Sequence, residues 1–172
     1  YPFRFEVRLT YRAGSGALLC EQLYANRGSV PMPYYAGFHP YFRTPPPGAG
    51  KEWVTLDFRP VRAFRYNERF TNLAEEPPPA VPVGAHAHAV LEQRLTMVGA
   101  DRELRLAVPG DPVIRMTSDI FPYIQLYTMP DKPFFCVEPW MAFPNALNTM
   151  TAARWLKPGQ TERGMLRLWI TE

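Results

Sequence analysis

Apolar and polar side chains alternate from the first residue: in YPFRFEVRLTY, Phe3, Phe5, Val7, Leu9 and Tyr11 interleave with Arg4, Glu6, Arg8 and Thr10. A period of two places the apolar set on one face of an extended chain, the signature of a half-buried β-strand. The turn-forming run Ala13-Gly14-Ser15-Gly16 and a second apolar segment from Ala17 to Ala25 complete a predicted hairpin, which Asn26, Arg27 and Gly28 end. Further short strands are predicted over Trp53 to Phe58, Ala89 to Val98, Glu103 to Val108, Val113 to Ser118, Tyr123 to Thr128, Phe134 to Val137 and Met165 to Thr171. No 3.6-residue periodicity lasts for a full helix, and one short helical turn is expected within Pro144 to Leu156. Short strands punctuated by Pro and Gly predict an all-β antiparallel β-sandwich or barrel.

Composition agrees with that pattern. Twenty prolines, 14% aromatic and 47% hydrophobic residues describe a turn-rich globular chain. At 172 residues it suits one domain, 1–172. The proline-rich stretches Thr44 to Gly50 and Glu75 to Gly84 flank no compositionally distinct block, so they read as loops inside that domain. The 19 basic and 16 acidic residues are scattered, whereas a nucleic-acid binder concentrates its basic residues, so no nucleic-acid partner is expected. No window approaches the roughly 18 apolar residues of a membrane-spanning helix, so no membrane partner is expected either. Cys20 and Cys136 lie in apolar strand surroundings without metal-ligand spacing and are expected to be buried free thiols, compatible with a reducing compartment. The expected location is cytoplasmic. Because residue 1 is Tyr and a strand pattern begins at once, an N-terminally truncated domain is expected.

Two residues stand out chemically. His39 sits among the aromatic side chains of PYYAGFHPYF just before a proline-rich loop, surroundings that can balance an imidazole between its two protonation states. It could equally hydrogen-bond a backbone group at a strand end. Glu138, in FFCVEPW, follows an apolar strand and precedes a proline that cannot continue a central ladder. Partial desolvation there would make its carboxylate more basic; a rim carboxylate capping a turn is the alternative. Trp140 could stack on a sugar face or fill a core. His86 and His88 share a strand-like face, but no further residues complete a metal site, and they read as loop histidines. Asp119 and Asp131, flanking YIQLYT, read as turn caps.

Three blocks in order resemble the aldose 1-epimerase (galactose mutarotase-like) family: Asn26 with PMP and AGFHPYF; FPYIQLYT with FFCVEPWMAFPNALN; and LKPGQ with MLRLWIT. The match is to the C-terminal part of that domain, in its bacterial Glu-Pro-type branch. The resemblance implies a galactose mutarotase-like supersandwich lacking its N-terminal strands, with His39 as acid and Glu138 as base. Tyr41, Gln125, Trp140 and Asn145 would bind the substrate. An arginine and a second histidine usual ahead of this region have no counterpart here, nor does a sugar-binding aspartate near His86 to Leu95.

The implied activity is that of an aldose 1-epimerase (mutarotase), an isomerase interconverting the α and β anomers of an aldohexose such as glucose or galactose, with no metal or organic cofactor. Alternatives are a non-catalytic carbohydrate-binding sandwich using Tyr41, Phe42 and Trp140, or a glucose-6-phosphate 1-epimerase-like enzyme drawing on Arg43, Arg62 and Arg65 for a phosphate.

Overall fold

The computed structural model describes residues 1–70 and 73–171. Among them fifteen strands run in the order β1 (Phe5–Gly14), β2 (Ala17–Asn26), β3 (Met32–Tyr34), β4 (Tyr41–Arg43), β5 (Thr55–Phe58), β6 (Pro60–Tyr66), β7 (Leu73–Glu76) and β8 (Val83–Gly84). These are followed by β9 (Arg94–Val98), β10 (Glu103–Ala107), β11 (Val113–Ser118), β12 (Tyr123–Tyr127), β13 (Phe134–Trp140), β14 (Arg154–Leu156) and β15 (Thr161–Thr171). Helical structure is confined to single turns, a 3₁₀ turn at Lys51–Trp53, α1 (His88–Leu91) and α2 (Ala146–Thr149). The long strands alternate side chains across two faces, and only stacking one sheet on another hides the apolar face of each.

A seven-stranded sheet has the order β1-β2-β15-β11-β10-β5-β8, a six-stranded sheet the order β4-β13-β12-β9-β6-β7, and β14 pairs with β3. Every named pairing is antiparallel, as in β2 against β15 and β12 against β13. Between the two large sheets lies one core, to which β5 and β10 send Leu56, Leu104 and Leu106 and β12 and β13 send Ile124, Phe135 and Val137. The fold is therefore the antiparallel β-sandwich that the alternation predicted. The first hairpin forms in the expected place, turning at Ser15 and Gly16, both at positive φ as a tight two-residue hairpin loop requires. Asn26 closes it from inside: wholly buried, it donates to the carbonyls of Val30 and Leu156 and accepts from the Gly28 N–H.

Four expectations are corrected. The apolar run at Ala89 is not strand throughout: His88–Leu91 is a helical turn, and the strand begins at Arg94. Trp53 belongs to a 3₁₀ turn and not to the strand that follows. The strand from Phe134 does not stop at Val137 but runs through Glu138 and Pro139 to Trp140. It can do so because β4 pairs with β13 only as far as Cys136, so Pro139 lies beyond the three-stranded stretch of the ladder. Lastly, Phe5, Val7, Leu9 and Tyr11 share the core-facing side of the sheet with Cys20 and Tyr24, yet all four are exposed, because β1 reaches beyond the cover of the second sheet.

Candidate functional site

Both faces of β13 are buried. Phe135 and Val137 point into the core, so alternation sends Cys136 and Glu138 to the outer face of the six-stranded sheet. Such a face is ordinarily polar and wet, but here a second apolar cluster of Phe64, Tyr66, Leu95 and Phe143, with Tyr123 and Trp140 against it, covers part of it. The strand register sets Gln125 of β12 opposite Glu138, and Tyr41 of β4 opposite Cys136. Glu138 is consequently a carboxyl group with only 2% of its surface exposed. Burial pushes it up to about 7, because the charged form loses its hydration; a hydrogen bond from the Trp140 side chain opposes this by favouring the carboxylate.

His39 is brought to Glu138 by the segment before β4. That segment is latched to the end of β13: the Phe38 N–H donates to the Pro139 carbonyl at 2.9 Å, the Met141 N–H donates to the Ala36 carbonyl at 2.9 Å, and Gly37 bridges to Trp140. Gly37 permits the approach, since a Cβ there would stand 2.7 Å from Trp140 Cδ1 and 2.8 Å from the Pro139 oxygen. Phe38 plugs into the core, edge-on to Phe121 at 5.0 Å. His39 then stands with Nε2 3.4 Å from Glu138 Oε1, its ring stacked on Tyr41 at 4.9 Å and 5°. The separation is slightly longer than an ordinary hydrogen bond of about 2.7–3.2 Å. The imidazole is half exposed while the carboxylate is enclosed.

A cleft of about 530 Å³ opens beside the histidine, lined among others by Tyr35, Gly37, His39, Arg69, Phe70, Trp140 and Asn145. That volume lies within the range of small-molecule sites. Of the six residues singled out in the sequence, His39, Trp140 and Asn145 line the cleft. Glu138 touches His39 without itself lining the cleft, Tyr41 is exposed beside the histidine, and Gln125 stands next to Glu138. Both ends of the Gln125 amide are engaged: its oxygen accepts from the Tyr66 hydroxyl at 2.6 Å, and its nitrogen donates to the Leu126 carbonyl at 2.8 Å. Asn145 adopts φ 61° at the start of α2, a conformation that Asn tolerates better than most residues, and it accepts a hydrogen bond from the Asn148 amide.

Sequence reasoning missed Arg69 and Phe70, loop residues without a local pattern, and Tyr66, which lies in a strand too interrupted by Pro60, Arg62 and Arg65 to be recognised. Arg62 and Arg65, considered above for a phosphate, are paired with Glu75 at 2.8 Å and Glu76 at 2.6 Å. Asp119 does cap, accepting from the Ile120 and Met165 N–H groups. Both cysteines are buried and free.

A buried carboxyl and an imidazole beside a cleft are carried on an antiparallel sandwich whose architecture comparison with solved structures specifies. The chain has the fold of galactose mutarotase-like proteins. It superposes on a galactose mutarotase related enzyme from Lactobacillus acidophilus with a TM-score of 0.80 at 18% identity, covering 100% of this chain and 63% of that one. A galactose mutarotase-like protein from Lactobacillus casei gives 0.77 at 22%, covering 99% and 65%. An aldose epimerase homologue from C. elegans gives 0.78 at 13%, covering 99% and 61%. The chain thus spans less than two thirds of the length of each of these proteins. No protein-family profile matches the sequence, and no curated protein sequence matches it.

Proposed function

We propose that the protein acts on a sugar as an aldose 1-epimerase, interconverting the α and β anomers of an aldohexose. The observation that carries this reading is the contact of His39 Nε2 with Glu138 Oε1 at 3.4 Å beside the cleft. Opening a pyranose requires removal of the anomeric hydroxyl proton and delivery of a proton to the ring oxygen. Those two oxygens are bonded to the same carbon, so the base and the acid that serve them must stand side by side, as this pair does. Glu138 takes the hydroxyl proton and the His39 imidazolium protonates the ring oxygen; after rotation about the C1–C2 bond the roles reverse and the ring closes on the other face. The enclosure that makes Glu138 a poor acid also makes it a stronger base near neutral pH. Trp140 offers a ring for the sugar's apolar face, and Asn145 and Arg69 offer polar contacts at the rim.

Polarimetry tests this directly. Freshly dissolved α-glucose or α-galactose should lose rotation faster with the protein than without it, and the acceleration should vanish in Glu138→Gln. Sugar binding without acceleration would replace the enzyme reading with that of a carbohydrate-binding sandwich.

A further inference from the structure

We infer that His39, Cys136 and Glu138 together form a binding site for a soft divalent transition cation, zinc being the best fit. One ligand atom from each, the imidazole nitrogen, the thiol sulfur and a carboxylate oxygen, lie within 4.8 Å of one another. Zinc bonds of about 2.0–2.3 Å at tetrahedral angles hold neighbouring donors about 3.3–3.8 Å apart. The His39–Glu138 edge, at 3.4 Å, already has that length. Cys136 and Glu138 are alternate residues on one face of β13, a strand fixed between β12 and β4, so two of the three donors are rigidly placed. The third is on a half-exposed side chain, free to adjust to the two fixed donors.

The donor set is selective. Thiolate and imidazole favour zinc or cobalt over magnesium and calcium, which prefer oxygen-only shells. Two of the donors have the outer hydrogen-bond partner typical of metal ligands: the Tyr41 hydroxyl hydrogen-bonds the Cys136 thiol and the Trp140 side chain hydrogen-bonds Glu138, while the Tyr41 ring stacks on His39. Three protein ligands leave a fourth position for water or a sugar hydroxyl. Binding releases the thiol proton to solvent as the sulfur–metal bond forms, so no other reactant is needed. Cys136 and Glu138 are two apart but His39 is remote in sequence, which is why linear spacing gave no hint of the set. If the acid–base reading holds, the cation occupies both proton-transfer groups and is a reversible inhibitor that a chelator relieves.

The test is titration of the chelator-treated protein with Zn²⁺ in competition with a chromophoric chelator, and with Co²⁺ to read the ligands optically. One equivalent should bind, and the Co²⁺ form should show thiolate-to-cobalt charge transfer in the near ultraviolet. Cys136→Ala should abolish that band, and Cys20→Ala should keep it. His39→Ala, a change at a half-exposed position that leaves the core intact, should weaken zinc binding by more than the about 10- to 100-fold that loss of an outer partner costs. Absence of the band in the parent protein, its dependence on Cys20, or unchanged zinc affinity in His39→Ala would overturn the site. Mutarotation by the metal-free protein alongside any of those results would leave the acid–base proposal standing. One-equivalent zinc binding in a protein without mutarotation would do the reverse.

Discussion

In the proposed reaction Glu138 is the base, and a carboxyl group almost without water is costly to ionise and useful once ionised. Its pKa of about 7 in the fold stands above its ordinary 4.5, so the folded chain holds this proton more tightly than the unfolded chain. The sign follows: the stabilising contribution is complete below about pH 4.5 and is lost as pH rises through about 7. At pH 8 the ionised group costs on the order of 3 kcal/mol, from about 1.4 kcal/mol per pKa unit. Glu138→Gln should therefore raise the melting temperature at pH 8 and have little effect at pH 4, while lowering turnover by about 10²- to 10⁴-fold. Thermal unfolding at the two pH values checks this, and an equal effect at both would show that the carboxyl is not held protonated by burial. In chelator-treated protein the turnover profile should fall on the acidic side as Glu138 gains its proton. Trp140→Phe keeps an aromatic wall but removes the hydrogen bond that favours the carboxylate. Its acidic limb should move to higher pH in a pH–rate measurement, whereas an unmoved limb would show that the hydrogen bond does not act on the base.

The segment from Tyr35 to Pro40 decides whether that side chain has a partner. Gly37 is its tightest point, and the atoms a Cβ would meet include the Pro139 carbonyl, which belongs to a strand and cannot swing aside. Gly37→Ala should lift the segment off β13 and displace the adjacent imidazole; a misplacement of about 1 Å can cost about 10²-fold in rate. The expected result is lost turnover with the melting temperature nearly kept, and a kinetic measurement that finds parental turnover would show that His39 is not positioned by this latch. Sequence pattern carried much of this architecture where local rules sufficed. A short apolar run bounded by Gly110 and Pro112 ahead and Pro122 behind placed β11, Val113–Ser118, to the residue, and the turn ending in Ser15-Gly16 placed the first hairpin. It failed where partners decide: Ala89-Val90-Leu91 is apolar enough for strand or helix, and the end of β13 depends on how far β4 runs alongside it. His39 and Glu138 could each be singled out from their neighbours, but their 3.4 Å separation, and the arrival of Arg69 at the same cleft, arise from long-range packing that no local pattern encodes.

At the scale of the molecule, the two sheets do not cover one another evenly. Among the described residues no helix is long and apolar enough to cross a membrane, yet a ribbon of large apolar side chains reaches solvent. Phe5, Val7, Leu9 and Tyr11 stand 46–63% exposed on the side of β1 that continues the core face. Phe5, Val7 and Leu9 line a groove of about 500 Å³ with Tyr1 and Met32, and β1 is also the open edge of its sheet. An apolar face and an unpaired backbone edge on the same strand are the two features that draw chains together, and natural edge strands commonly blunt them with inward-pointing charges. The alternating charges of β1 lie on the opposite face: Glu6 is bound to Arg8 and Arg27, and nothing charged interrupts the apolar series. The double substitution Val7→Lys with Leu9→Lys places two charges in the middle of that series at positions that bury little surface. Its cost in stability should be small, within about 0.5 kcal/mol per site as for other exposed positions, because neither side chain belongs to the core cluster. Concentration-dependent light scattering of the two proteins should show weaker self-association in the variant. Equal self-association, with both proteins folded by circular dichroism, would mean that the contacts between chains lie elsewhere and that the exposed face of β1 is inert in solution.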